Sequence, residues 1–467
     1  MTFFSQSFFL LVVVTTFLYY LPLLRRYQVH LLVIASLVFY LSAQYEAFPV
    51  LLATLLGTCF FLYRSGNKKY FLYGLVFNLL ILAFFKYKFL FMDATQSTGG
   101  KEYANLLDYL ILLPLPVGIS FFVFHNISLL TDFREQIKRY ADQVERPSLN
   151  KVALYIIFFP QLVSGPITRF KQFFPQIVEK KWVDVNLVGV TKHIVIGAFM
   201  KLFVANNSAQ ITLLMEAPNY SHLNSLDRVL LAFMYSIQIY ADFFGYSSIA
   251  IGLALLFGYR LPINFNLPYI SSSFSDFWHR WHISLSSWLR NYLYFPLGGN
   301  RLGKARTYVN LMVVMSIGGL WHGASMGYML WGAVHGGFLV IERVLKDHFS
   351  SMVGSIFDNS ILALLRAILV FTCVSFAWIF FKLPTFGDSV GYLHGIFIDT
   401  DLSPSLSDEN YIFCLLVATP VIIQHLFSGL TNVKIWASYL QPIAYSAMLF
   451  LAVFKAGPDT PFIYFQF

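Results

Sequence analysis

Charge is what this chain has least of. Only 12% of its 467 residues are Asp, Glu, Lys or Arg, about half of the roughly 25% usual in soluble domains. Apolar residues fill the gap, at 57% of the chain with 50 Phe and 28 Tyr. Apolar runs of this length and number exclude an ordinary soluble domain and point to an integral membrane protein. Helices are the expected spanning elements, because hydrocarbon offers backbone N–H and C=O groups no partner outside the element itself. The runs are also mostly longer than the roughly ten residues of a membrane strand.

Cysteine is scarce as well. Cys59, Cys373 and Cys414 are far apart, each inside an apolar run, so they read as core residues and not as a disulfide framework or metal cluster. The chain has no CxxC, HExxH, P-loop or GxGxxG pattern. Zinc hydrolysis, nucleotide-driven transport and dinucleotide chemistry therefore lack their usual sequence warrants, and no metal site is expected. Acidic residues are the rarer sign, 23 against 32 Lys and Arg, for a net charge of +9. Because the basic residues cluster in short loops, the excess reads as membrane topology and not as a nucleic-acid surface.

A span needs about 20 residues. Candidate spans are 3–21, 29–43, 47–63, 70–91, 109–130, 187–214, 228–258, 307–320, 325–341, 360–381, 410–428 and 436–455. The runs 307–320 and 325–341 are short, and 228–258 can break near Gly245, so 11 or 12 crossings are expected. The first run lacks a basic leader and a small-residue cleavage site and is expected to be a retained helix. Arg25 and Arg26, then Arg64, Lys68 and Lys69, then Arg134 to Arg146 mark cytoplasmic loops, while Glu46, Asp93 to Glu102 and Asp388 to Glu409 mark the other side. Lys86 and Lys88 dissent, and are expected to snorkel from the outer end of their span.

Two stretches do not read as simple spans. Residues 151–175 carry Pro160, Pro166 and Pro175, which interrupt helical bonding; they form either a surface-lying helix or part of a cavity wall. Arg169, Lys171, Lys180 and Lys181 nearby suit a phosphorylated cosubstrate or anionic lipid headgroups. The second stretch, 275–301, reads as one interfacial helix with Trp278, Trp281, His282, Leu285 and Trp288 on one side, ended by Pro296, Gly298 and Gly299.

That second stretch and the run 317–336 place Asp276, His279, Arg280, His282, Arg290, His322 and His335 among Trp, Tyr, Leu and Gly. Ionisable groups at membrane depth cost several kcal/mol unless paired or wetted, so their placement asks for a function. His322, in GGLWHGAS, is a credible base for a hydroxyl attacking an activated acyl group, since a neutral imidazole accepts a proton at one nitrogen while the other orients the ring. Its alternative is a packed histidine bonded to a helix carbonyl. His282 either helps orient an acceptor or anchors an interface. His335 reads as a structural partner and His279 as a wet interfacial residue. Arg280, Arg290 and Arg301 either bind phosphate through forked donors or mark topology. Asp276 can pair with Arg280. Asp242 either pairs with a base or lines a cavity, or bonds locally near Gly245.

The ordered set FFPQLVSGPITRF (158–170), DFFGYSSIAIGLALLFGYRLPINFNLPY (242–269), FWHRWHISLSSWLRNYLYFPLGGNR (277–301), GGLWHGAS (318–325) and the terminal FIYFQF (462–467) resembles the membrane-bound O-acyltransferases. The likeness is to the alginate O-acetylation branch, with the D-alanine export proteins as relatives. It implies an all-α integral membrane fold: a ring of tilted helices around a thin centre, with re-entrant or interfacial helices. One membrane-embedded domain would run over 1–467, with peripheral helices at 1–108, a catalytic core at 109–381 and further helices at 382–467. The family's invariant histidine maps to His322 and its second polar position to His282; arginines of the 277–301 region map to Arg280 and Arg290 as cofactor-binding candidates. Asn291 and His279 depart from the pattern, standing where an aspartate and an arginine are often found.

The implied reaction is acetyl transfer from a cytoplasmic thioester, acetyl-coenzyme A, to an extracytoplasmic acceptor. The implied partners are a periplasmic acetyltransferase or esterase-like protein, a polysaccharide-synthesis complex and membrane lipids, at the bacterial inner membrane. D-alanyl or acetyl transfer to teichoic acid, peptidoglycan or cellulose is the neighbouring alternative. A transporter gated by breaks near 160 and 245, or a membrane scaffold, lies outside the enzyme class.

Overall fold

The computed structural model describes residues 2–88, 106–140, 145–163, 165–348, 360–398, 405–427 and 434–463. Every regular element among the described residues is helical. Six helical runs are long and apolar enough to cross a membrane: Pro22–Leu62, Lys68–Tyr87, Leu187–Met215, Ser225–Leu256, Ile361–Lys382 and Asp408–Leu426. Gln6–Tyr20 and Leu440–Phe454 are shorter apolar helices. The first long run joins two expected spans, 29–43 and 47–63, through a tight turn at Tyr45–Ala47.

The chain forms two compact units, one of Met1–Thr191 with Ala250–Pro262, the other of Lys192–Ile249 with Ile263–Phe467. In the first, apolar helices are tied laterally by buried amides. Asn126 donates to Asn78 Oδ1 at 2.8 Å, and Asn78 donates to Thr58 Oγ1 at 3.1 Å and to the Gly74 carbonyl at 2.9 Å. An amide left unpaired there would cost about 1–3 kcal/mol, so these residues fix which helix faces meet.

The proline-interrupted stretch is buried within this unit and is no surface helix. The helix Leu149–Ile157 stops at Phe158, and residues 152–163 are all buried. Side chains satisfy the backbone groups that the interruption frees: Gln161 donates to the Tyr155 carbonyl at 2.7 Å, Tyr155 to the Thr168 carbonyl at 2.8 Å, and the Thr168 N–H to His125 Nε2 at 3.3 Å. Irregular backbone is tolerated at such depth only when enclosed in this way. Lys171 is engaged by Glu135 at 2.6 Å.

Lys88 does not snorkel. It is 5% exposed, and its ammonium donates to the carbonyls of Leu110, at 3.2 Å, and Leu113. The end of the short helix Leu106–Leu112 leaves carbonyls without intrahelical donors, and an ammonium with three N–H groups meets that need.

The helix Ser225–Leu256, which belongs to the second unit up to Ile249, passes Gly245 without the expected break. Gly245 instead lets another helix come close: a Cβ there would stand 2.9 Å from the Gly197 oxygen and 3.0 Å from the Lys201 nitrogen. The irregularity lies on that other helix, as a widened π turn at Met200–Ala205.

The stretch 275–301 is two short helices, not one. Phe274–Arg280 and Ile283–Leu289 meet at a bend where His282 takes a left-handed conformation, φ 42° and ψ 52°. Asn264 holds the bend, its carbonyl accepting from the Ile283 N–H at 2.9 Å and its side chain from Ser284 at 2.6 Å. The expected helical face therefore ends at Trp281.

The helices Lys304–His322 and Met326–His348 form a hairpin, each longer than the apolar run that announced it. The 19 residues of the first give a length of about 28 Å. At its base Tyr308 donates to Asp347 at 3.1 Å. Near its tip the backbones touch: a Cβ on Gly319 would strike the Tyr328 carbonyl, and one on Gly332 would strike the Met315 carbonyl and lie 3.1 Å from Gly319 Cα.

Gly332→Ala is expected to force the hairpin apart and destabilise the protein by about 1–3 kcal/mol. Gly337→Ala, with no atom within 4 Å of its Cβ, is expected to be neutral or stabilising. Thermal unfolding of the two purified variants in detergent checks the contrast.

Candidate active site

His322 is the last residue of the hairpin's first helix, and Gly323 leaves it in an extended conformation, φ 172°. The imidazole is 3% exposed and is surrounded by rings. Trp321 lies 4.8 Å away centroid to centroid, Phe381 at 5.0 Å, Trp331 at 5.3 Å edge-on, and Tyr328 at 6.4 Å. Aromatic walls fix the ring plane by shape, leaving its nitrogens as the polar part of an otherwise apolar enclosure.

Two cavities in the second unit meet this cluster. The first, about 420 Å³, is lined by His322 itself together with Trp278, His279, Arg290, Tyr294 and Trp331. The second, about 430 Å³, is lined by Tyr328 and Phe381 and by polar groups including Glu216, Gln238, Asp242 and Ser325. Tyr328 and Phe381 thus line the second cavity and also touch the His322 ring.

The pattern of the membrane-bound O-acyltransferase family matches residues 29–381. This chain belongs to the membrane-bound O-acyltransferase family. The acyltransferase is 36% identical over 400 residues to the probable alginate O-acetylase of Pseudomonas syringae pv. tomato, covering 81% of this chain and 72% of that protein. It is 32% identical over 394 residues to the peptidoglycan O-acetyltransferase of Helicobacter pylori, covering 78% and 73%. To the teichoic acid D-alanyltransferase of Bacillus subtilis it is 32% identical over 244 residues, covering 50% and 58%. With its apolar helices, the acyltransferase is a multi-pass membrane enzyme.

The fold brings some sequence candidates of the acyltransferase together and separates others. His282 is 1% exposed, packed edge-on against Phe243 at 4.6 Å, and the Trp321 ring lies near both it and His322. Arg290 lines the first cavity beside His322, at the start of the widened turn Arg290–Tyr294. Arg280 pairs instead with Asp276 at 2.8 Å, the expected i,i+4 contact, and reaches the Asn266 carbonyl at 3.4 Å. His279 is exposed and lines the same cavity as Arg290. His335 is fully buried between Trp331 and Trp278, at 4.9 and 5.2 Å. Asp242 takes the pairing alternative, against Lys201 at 2.7 Å, and also lines the second cavity.

Sequence reasoning missed Tyr328, Phe381 and Lys201. The first two are ordinary aromatics in apolar runs and carry no signal of their own. Lys201 did carry one, as an ammonium in the middle of the apolar run 187–214, the same kind of placement that singled out Asp242.

The left-handed backbone of His282 separates its structural role from any chemical one. Asn enters that conformation readily, whereas a β-branched residue pays about 1–2 kcal/mol. His282→Asn is expected to keep the melting temperature near the parent's and His282→Val to lower it by several degrees. Acyl transfer lost in the well-folded Asn variant marks the imidazole as needed; transfer retained assigns His282 to the bend alone.

Proposed function

We propose that this acyltransferase moves an acetyl group from cytoplasmic acetyl-coenzyme A to a hydroxyl acceptor across the inner membrane, for O-acetylation of an alginate-like exopolysaccharide, with His322 as the base. The observation that carries the reading is the position of His322: at a hairpin tip, lining one cavity and in ring contact with the aromatic wall of another. A base so placed can be approached by donor and acceptor from separate compartments. A large charged donor then need not enter lipid.

Charge supports the donor side. Lys304 and Arg306 begin the hairpin and Arg343 and Lys346 lie near its end, which the positive-inside rule reads as a cytoplasmic base. The first cavity reaches Leu311 and Leu339 of that hairpin and is lined by Arg290, whose guanidinium is a forked donor suited to phosphate oxygens. Arg280, neutralised by Asp276, has a lesser part in this reading.

In the reaction, His322 takes the proton of the acceptor hydroxyl as its oxygen attacks the thioester carbonyl. The C–S bond breaks, the thiolate leaves and receives the proton, and an acetate ester remains. His282 supports the arrangement from beyond the Trp321 ring. The acetyl group then passes to polymer through a periplasmic acetyltransferase or esterase-like partner in a polysaccharide-synthesis complex, with membrane lipids around the helices and no part for nucleic acid. Acetyl is favoured over D-alanyl because the relatives named for O-acetylation match about four fifths of the chain, at 81% and 78%, and the D-alanyl relative 50%.

With labelled acetyl-coenzyme A and the enzyme in lipid nanodiscs, His322→Ala is expected to lower transfer by about 10²- to 10⁴-fold in a variant that still melts cooperatively, at a temperature lowered by the cavity the lost ring leaves. Turnover at the parent's rate would refute the assignment. Arg290→Gln is expected to raise KM for the thioester about tenfold, roughly the 1.4 kcal/mol range of a charge-assisted hydrogen bond, with a smaller effect on kcat. An unchanged donor KM would remove Arg290 from the donor site.

A further inference from the structure

A buried ion pair ties the C-terminal segment to the wall of the second cavity. Lys201 and Asp242 are 2.7 Å apart, with side chains 1% and 6% exposed. Buried pairs contribute little net stability compared with apolar residues of similar size, because desolvation offsets their attraction. The consequence of this pair lies in what else it binds. Lys201 Nζ donates to the Thr460 carbonyl at 2.8 Å and to Thr460 Oγ1 at 3.2 Å. Asp242 Oδ2 accepts from the Ile463 N–H at 2.7 Å.

The backbone around the pair is shaped for the same segment. The π turn Met200–Ala205 contains Leu202, whose carbonyl accepts from the Gly457 N–H at 3.0 Å. A widened turn of this kind frees a carbonyl from the regular helical ladder. Thr460 also donates to Asn206 Oδ1 at 2.8 Å. Gly457 lies directly on the helix backbone: a Cβ there would be 2.5 Å from the Asn206 carbonyl carbon and 2.6 Å from the Asn207 nitrogen. The segment so held contributes Pro458, Thr460, Pro461 and Ile463 to the cavity that Tyr328 and Phe381 also line.

We propose that the second cavity receives the acceptor, the first being the donor's in the acyl-transfer reading, and that Lys201 and Asp242 are positioning residues that pin segment 457–463 as its wall and so govern acceptor use without contributing to donor binding. The proposal rests on the acyl-transfer reading given above. The two charges cancel each other, so what the pair supplies to the cavity is a fixed wall and not a field.

The test uses Lys201→Met with Asp242→Leu in one protein, which removes both charges together and leaves no unpaired charge, and Gly457→Val, which keeps both charges but displaces the segment. Three readouts are compared with the parent: trypsin cleavage after the exposed Lys455 in purified enzyme, binding of labelled acetyl-coenzyme A, and transfer of the label to exported carbohydrate in inverted membrane vesicles from cells. Both variants are expected to be cleaved at least tenfold faster, to bind donor within twofold of the parent, and to transfer at least tenfold less. The proposal is overturned if cleavage accelerates while transfer stays within twofold, if neither variant changes cleavage, or if donor binding falls in step with transfer. If the double variant does not fold, Gly457→Val alone decides by the same criteria. Absence of transfer by the parent would be a failure of the acyl-transfer reading instead, and cleavage after Lys455 would still show whether the pair holds the segment.

Discussion

The close backbone contact between Lys304–His322 and Met326–His348 is the constraint on which the candidate centre depends. Gly319 and Gly332 leave no room for a side chain between the two helices, so the hairpin closes tightly up to its tip. That contact brings Trp331 to one side of His322 and Tyr328 to another. Small residues are how helices reach such proximity in an apolar medium, where no hydrophobic driving force presses them together. The imidazole is consequently held by shape, among rings, in a place a flexible loop would not keep dry.

The same economy of polar groups runs through both units. Asn78 and Asn126 bond each other, Gln161 and Thr168 close an interrupted helix, and Lys88 caps carbonyls. Lys201 and Asp242 neutralise each other and bind a distant part of the chain. Each removes a polar group from an environment in which leaving it unpaired costs several kcal/mol. Because the partners come from different helices, satisfying these groups also specifies which helices pack.

Much of this was legible from residue order. Low charge and long apolar runs announced a helical membrane protein, and the histidines and arginines of 275–335 marked the region that carries the candidate centre. The motif set pointed to the acyltransferase family that the full comparison shows. The expectations that failed share one cause, since each concerned a residue whose conformation depends on a remote neighbour. Gly245 reads locally as a breaker, yet it is a contact point for Gly197 and Lys201. Trp281 and His282 read as one helical face, but Asn264 bends the chain between them. Lys88 reads as a snorkelling end, but helix carbonyls lie within its reach.

Sequence by itself determined the solvent this protein folds in, its secondary structure class and its family, because these follow from composition, periodicity and ordered motifs, all of which are properties of residues along the chain. Tertiary structure alone decided that Arg290 shares a cavity with His322, that Phe381 walls one cavity and touches the imidazole, and that Asp242 answers to Lys201 and Ile463. Those assignments rest on distances between residues up to 221 positions apart. No local spacing encodes them, because they are fixed only when apolar faces, glycine contacts and buried polar pairs are satisfied at once.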